Sequence, residues 1–506
     1  MKALSNPCTA DANTSPNFAA AFEVLSYLAA VAAATCGFLA GWFSPNAAAV
    51  LMLLGLLSLL GLAWTRFEGG RHPCFFFLSM LTLFQAGRVV GFCCGGVTDI
   101  FEIELMTDYP FNVSRDVAGV VLLSIALSAL CIYAPCRWHC RSYSLSLSSP
   151  SLFHPRSCAR FLPYLYFLFV LSLPVQLYKN FCYYQYAKDH GGYLVVFTDH
   201  GGMAASIPAA VRAISLISLP AFVGILVLEQ RKYAVRTVTA VYFTIAAPIL
   251  LMGSRGGVFS LVLSLWYVAK VKSGRRARLG SAALLAVGLV LAGSGVGWLR
   301  AGNTEISTLA GPAQIIAGQG GSLNITEVAV AYRSRFAPHI MANLADELRS
   351  AFSPTDHTAY VAGKNFDADV SMFLNPISYP LGSGSGSSYL AEAYLLGGLA
   401  GVVMVSTLLG ALFHAIQTHV RNPLVLFLIA LILPDILLMP RGGLLDWVSA
   451  SLRVALSVLL LAGGWYFYRA VARIVTFWAK AKPMPAAASI SAKLSRPLSA
   501  IDQLSI

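Results

Sequence analysis

Twelve apolar stretches, each close to the thickness of a bilayer, recur along the 506 residues and constrain everything else about the chain. They lie at 20–43, 47–64, 74–96, 117–134, 161–178, 208–228, 237–252, 256–269, 280–298, 389–415, 423–440 and 443–468. About 20 apolar residues in a helix span the hydrocarbon core. Each stretch is long enough, or nearly so, to cross as a helix. The pair at 237–252 and 256–269 is short and could form one hairpin. Charged residues make up 11 % of the chain, where a soluble domain carries about 25 %. Too little polar surface is left to cover a soluble globule, which excludes a soluble enzyme, a disordered chain and a nucleic-acid-binding domain. The expected fold is all-α: a polytopic membrane bundle of about twelve transmembrane helices.

The net charge of +13 is a matter of placement. Arg66, Arg71, Arg137, Arg141, Arg156, Arg160, Arg231, Lys232 and Arg236 fall in alternate gaps. So do Lys270, Lys272, Arg275, Arg276, Arg278 and Arg421, while Arg469, Arg473, Lys480, Lys482, Lys493 and Arg496 fill the tail. With Lys2 they total 22 of the 35 basic residues, against six (Arg115, Lys179, Lys188, Arg212, Arg255 and Arg441) at the short loops of the other side. The positive-inside rule puts both termini in the cytoplasm. The charge is thus a topology signal, and no nucleic-acid partner is expected. The first apolar run reads as a span rather than a cleaved signal, since a second follows at once.

The resulting organisation is nine spans within 1–298, a large outer loop at 299–388, three spans within 389–470 and a basic cytoplasmic tail at 471–506. No internal repeat stands out. Within the loop, Asn324 followed by Glu327 reads as a capping box opening a helix. Val328, Phe336, Ile340, Leu344, Leu348 and Phe352 then recur at helical spacing, with Pro338 as a kink point. Such a helix would lie on the membrane or the bundle top. Ten cysteines are scattered, with no disulfide framework. Cys136, His139 and Cys140, with His154 and Cys158, match no standard zinc spacing, and no metal is expected.

The chemistry-bearing residues gather on the outer side. Met252-Gly-Ser-Arg-Gly-Gly257 falls where two apolar segments meet, and Pro440-Arg-Gly-Gly443 repeats the pattern between the last two. Arginine in or beside a span is costly and faces a partner or a wet cavity, although a single one can snorkel to the surface. Arg88 lies inside the third stretch and Arg300 opens the loop. Glycines such as Gly256 let backbone N–H groups approach a ligand. A guanidinium fork suits a diphosphate, because it pairs with phosphate oxygens and stays charged.

The run Leu381-Gly-Ser-Gly-Ser-Gly-Ser-Ser388 leads into the tenth stretch. It reads either as a flexible linker or as a glycine-rich approach whose Ser387 and Ser388 sit at a helix start favourable to anions. Glu392 follows in the first turn, either as an acid favoured by the helix dipole or as a carboxylate acting on a sugar hydroxyl. Arg333, Arg335 and His339 share the loop helix, and His339 and His357 are candidate bases. Asp367-Ala-Asp369 resembles a metal-holding pair, a pattern common by chance. No P-loop, GxSxG elbow or HExxH helix is present.

The Gly253-Ser-Arg-Gly256 turn, the large loop, Gly386-Ser-Ser-Tyr-Leu-Ala-Glu-Ala-Tyr-Leu-Leu-Gly-Gly-Leu-Ala-Gly401 and the late Arg441-Gly-Gly-Leu444 together resemble the bacterial O-antigen polymerases of the Wzy type. The similarity runs chiefly over 240–445. It implies a GT-C-like membrane glycosyltransferase that moves a growing glycan from its undecaprenyl-diphosphate carrier onto a new lipid-linked repeat unit. The reaction would run on the periplasmic face of the inner membrane, without nucleotide sugar, metal or other cofactor. Arg255 and Arg441 match arginine motifs and would neutralise the leaving diphosphate; Glu392 matches the acidic motif position. Arg333, Arg335 and His339 are placed by location alone, and Arg88, Arg300, Gly256, Ser387 and Ser388 are expected to bind substrate. Expected partners are the lipid-linked oligosaccharide and the bilayer, with a chain-length regulator and a flippase as further candidates. An O-antigen ligase is the nearest alternative. A twelve-span transporter is the alternative from another class, disfavoured by the missing repeat.

Overall fold

The computed structural model describes residues 16–39, 41–67, 70–101, 113–139, 155–190, 206–251, 255–274, 277–282, 311–350, 366–377 and 384–480, with residue 379 and short pieces between 284 and 291. Among these there is no strand. The long helices are α1 (Pro16–Leu39), α2 (Pro45–Arg66), α3 (Pro73–Cys93), α4 (Arg115–His139), α5 (Pro155–Asp189), α6 (Ala209–Leu228), α7 (Lys232–Leu251) and α8 (Arg255–Ser273). After the large-loop region come α14 (Tyr389–His419), α15 (Pro423–Leu438) and α16 (Asp446–Lys480). The loop region itself holds α9 (Gly311–Gln319), α10 (Ser322–Ala331), α11 (Arg333–Phe336), α12 (Ile340–Ser350) and α13 (Phe366–Leu374). The chain divides into two units, residues 1–457 and residues 458–506. In the second, the described residues continue α16 to Lys480.

Eight helices among the described residues are long and apolar enough to cross a membrane: Pro45–Arg66, Pro73–Cys93, Arg115–Arg137, Phe161–Asp189, Ala209–Leu228, Tyr389–His419, Pro423–Arg441 and Asp446–Ile474. Four of the twelve expected stretches are not among them. In α1 the apolar part, Glu23–Leu39, is shorter. Residues 237–251 and 256–269 fall within two separate helices, α7 and α8. The 280–298 stretch lies largely outside the described residues.

Starts are written in a common local code. Ser44, His72 and Asn422 each sit just before a proline, and each accepts an early backbone N–H of α2, α3 or α15. Proline at the first position supplies the helical φ and lacks a donor that the first turn would leave unpaired. Within residues 1–457, α4 runs along α14, α5 pairs with α6, and α3 is flanked by α2 and α9. Tyr389 and Ser406 of α14 meet Ser128 of α4 at 2.6 and 2.8 Å.

The long helix α14 is broken. Gly397 and Gly398 leave helical geometry, and Gly398 adopts φ 61°, ψ −144°, a conformation essentially reserved for glycine. The Gly397-Gly398 pair therefore separates a two-turn segment, Tyr389–Leu396, from the rest of the span.

The loop helices form a core of their own on that segment. Ile325, Val328, Ala329, Phe336, Ile340, Phe366, Val370 and Leu374 pack with Ala391 and Leu395. Two expectations change here. The helix opens at Ser322 with no side-chain cap, so Asn324 and Glu327 are not a capping box but interior helical positions. Both side chains are buried, and α10 lies against α3, α4 and α14 rather than on a membrane surface. The helical spacing after Val328 is interrupted at Tyr332, and Pro338 sits in a 3-10 turn, Ala337–His339.

Candidate functional site

Three chain segments converge on the end of α3 that carries Gln85 and Arg88: the start of α14, the turn after α15, and α10. Gln85 is fully buried. Its amide Nε2 donates to Ser388 Oγ at 2.9 Å and to the Pro440 carbonyl at 3.1 Å, while its Oε1 accepts the Thr326 hydroxyl at 3.2 Å. One side chain thus joins three segments. A buried amide with its partners in place fixes their register, since a lost partner would leave a desolvated polar group.

The run before α14 is no loose linker over its described half. The Ser385 N–H donates to Ser371 Oγ at 2.9 Å, and Asn375 Nδ2 donates to Ser385 Oγ at 2.8 Å, tying it to α13. Ser387 Oγ donates to Glu392 Oε1, and Ser388 caps α14 by accepting the Leu390 N–H at 3.3 Å. Glu392, 1 % exposed, accepts the Leu444 N–H on Oε2 at 2.7 Å. Asp446 accepts the Gly443 N–H at 2.6 Å. The Arg441-Gly-Gly-Leu444 turn is therefore held by two carboxylates at its last two residues, and by Gln85 at the Pro440 carbonyl just before it.

Arg441 projects from this turn. It is exposed, donates to Gln319 Oε1 at 2.7 Å and lies over the Phe84 ring, 5.8 Å from its centroid. Arg88 is buried, donating to Asn324 Oδ1 at 3.1 Å and to the Asp99 carbonyl at 3.3 Å. Glu327 is wholly buried beside it, and neither carboxylate oxygen has a hydrogen-bond partner. Burial pushes this carboxyl up to about 8; the Arg88 charge opposes the shift and Asp99 adds to it.

Arg88, Ser387, Ser388, Glu392 and Arg441 are thus drawn into one constellation. Arg333, which opens α11, lies over Tyr394 of α14 at 5.7 Å. Arg335 instead lies over Phe373 of α13 at 4.9 Å, and His339 is exposed in its 3-10 turn; among the described residues neither joins the Glu392 cluster. Arg255 and Gly256 open α8, in the first turn of a helix rather than in a tight loop. The Arg255 side chain, Arg300 and His357 lie outside the described residues. Asp367 accepts the Ser371 hydroxyl at 3.2 Å.

Gln85, Asn324, Thr326, Glu327 and Gln319 escaped the sequence reading as site residues. The available signal was polarity: Gln85 is the one amide in an apolar span beside an arginine, and such groups require partners.

The fold and this arginine-bearing cluster define a multi-pass helical membrane protein with a polar site where loop helices meet the spans. A family model, O-antigen polysaccharide polymerase Wzy, matches residues 24–468. The chain belongs to that family. No curated protein and no solved structure matches it.

Proposed function

We propose that the chain polymerises undecaprenyl-diphosphate-linked repeat units on the periplasmic face of the inner membrane, with both termini cytoplasmic. Family membership supports polymerisation of O-antigen repeat units. The observation that carries the siting of the chemistry is the exposed Arg441 guanidinium on a turn clamped by Glu392 and Asp446. Breaking the glycosyl–diphosphate bond builds negative charge on the leaving phosphate, and a fixed guanidinium stabilises it as the bond lengthens. Arg255 is assigned the same task by its motif. Arg88 and Arg333 add positive charge around the cluster, while Ser387 and Ser388 sit where the chain turns into a helix start.

Glu392 receives a different role from the one its motif suggested. Both its oxygens are occupied by donors of the protein, which suits holding the Arg441 turn better than taking a sugar proton. The defining test is reconstitution of the purified protein with lipid-linked repeat units. A ladder of lengthening products supports polymerisation. Transfer only onto a lipid A core acceptor would replace it with a ligase reading.

A further inference from the structure

At the end of α3 opposite the candidate site, three metal-ligating side chains converge. His72, Cys74 and Cys136 are all buried, at 3 %, 0 % and 0 % exposure, and one ligand atom from each lies within 4.8 Å of the other two. The distance from Cys74 to Arg88 along α3 is about 21 Å at 1.5 Å per residue, so this cluster is separate from the arginine site. We propose that His72, Cys74 and Cys136 form a structural zinc site that ties the start of α3 to the end of α4.

The donor set fits the ion. Two thiolates and an imidazole are preferred zinc ligands, and a tetrahedral site places neighbouring ligand atoms about 3.5–3.8 Å apart. The present separations, up to 4.8 Å, need side-chain rotation to reach that range. Binding releases one proton from each thiol, and the Zn²⁺ with two thiolates and a neutral imidazole carries no net charge, so its burial avoids the cost of an isolated ion.

The protein without metal is imperfectly satisfied here. His72 Nδ1 accepts the Cys74 N–H at 3.2 Å, and Nε2 is buried without a partner. Ligation through Nε2 would occupy the nitrogen without a partner and put the ring proton on Nδ1, while ligation through Nδ1 would leave Nε2–H unpaired; either costs one first-turn N–H bond, a group helix starts commonly leave to a cap. The thiols meet carbonyls, Cys74 to Ile132 at 3.9 Å and Cys136 to Gly410 at 3.3 Å, and pair with each other. The described residues supply three ligands, and the fourth position of a tetrahedral site is left to a further donor. The local spacing of Cys136, His139 and Cys140 matched no standard zinc pattern; the fold instead brings Cys136 to a pair 62 and 64 residues earlier in the chain.

The test is metal analysis of the full-length protein purified in detergent without chelator. About one zinc per chain is expected, falling to background in Cys74→Ser/Cys136→Ser and in His72→Gln, and unchanged in Cys131→Ser, a half-buried thiol on the same helix. Should the variants fail to fold, cobalt(II) exchange into the wild type keeps the question open to a direct answer, because thiolate ligation gives an intense near-ultraviolet charge-transfer band. Zinc at background with no cobalt–thiolate band overturns the site. So does unchanged zinc in the folded double-serine variant, or a Cys74–Cys136 disulfide in the intact mass.

Discussion

Glu392 and Leu444 lie 52 residues apart and are joined by a 2.7 Å hydrogen bond from the Leu444 amide to Glu392 Oε2. That bond connects the first turn of one span to the loop before another, and it makes the position of Arg441 depend on a carboxylate. Glu392→Gln keeps an acceptor for Leu444, and its amide can donate to the Ser387 hydroxyl. Polymer yield should stay within about tenfold of wild type for glutamine. Glu392→Ala strands two donors, at about 1–3 kcal/mol for each buried unsatisfied group, and should lose most polymer. Equal inactivity of both variants at normal protein levels would return Glu392 to proton transfer.

Arg441 should not be replaceable by lysine if it binds phosphate as a planar fork. Once bound substrate covers the exposed Arg441, a lost charge-assisted contact costs about 2–4 kcal/mol in transition-state stabilisation, a rate loss on the order of a hundredfold. Arg441→Lys, and Arg255→Lys by the same logic, should insert normally and make little polymer. Long polymer at wild-type yield in both would reduce them to membrane anchors.

The two Arg-Gly-Gly motifs behave differently. A Cβ at Gly442 would stand 2.8 Å from Asp446 Oδ2, the atom that holds the Gly443 N–H. A Cβ at Gly256 would stand 3.4 Å from the end of the Leu438 side chain, which can move. Gly442→Val should therefore cut polymer at least tenfold through misplacement of Arg441, and Gly256→Ala should leave it near wild type. Gel analysis of product length compares them directly.

Glu327 supplies a pH test. Its folded pKa is raised to about 8, above the unfolded value, so the native state holds a proton that the unfolded state releases. Its contribution is complete below the unfolded carboxylate range and fades as pH rises through about 8. Glu327→Gln cannot lose that proton. Thermal unfolding should show the variant gaining stability over wild type as pH rises from 5 to 9. A difference in Tm that does not vary with pH would contradict the assignment.

Orientation is checked by labelling with an impermeant thiol reagent in a background without native cysteines. Ser334, exposed in α11, and Ser273, exposed at the end of α8, should react from opposite sides as Ser334→Cys and Ser273→Cys. Labelling of Ser273→Cys in intact cells, with Ser334→Cys protected, would invert the proposed topology.

The spans were legible because lipid demands long apolar helices, a requirement written locally in the chain. Ser388, Glu392 and Arg441 were legible because they cluster in short polar interruptions of that pattern. Gln85 and Glu327 were not, since their roles arise from partners 241 to 355 residues away or from burial under a separate loop core. Asn324 and Glu327 show the difference: their spacing satisfied a local capping rule, yet tertiary packing turned both side chains inward.

The break at Gly397-Gly398 gives the chain a joint between the candidate site and the lipid. Lipid thickness acts on a span by changing its tilt, and a continuous helix would carry that tilt straight to Glu392. Here the two-turn segment belongs mechanically to the loop core, packed through Ala391 and Leu395, while the remainder of α14 answers to the bilayer. Membrane composition can vary without being transmitted along one rigid rod to the candidate site.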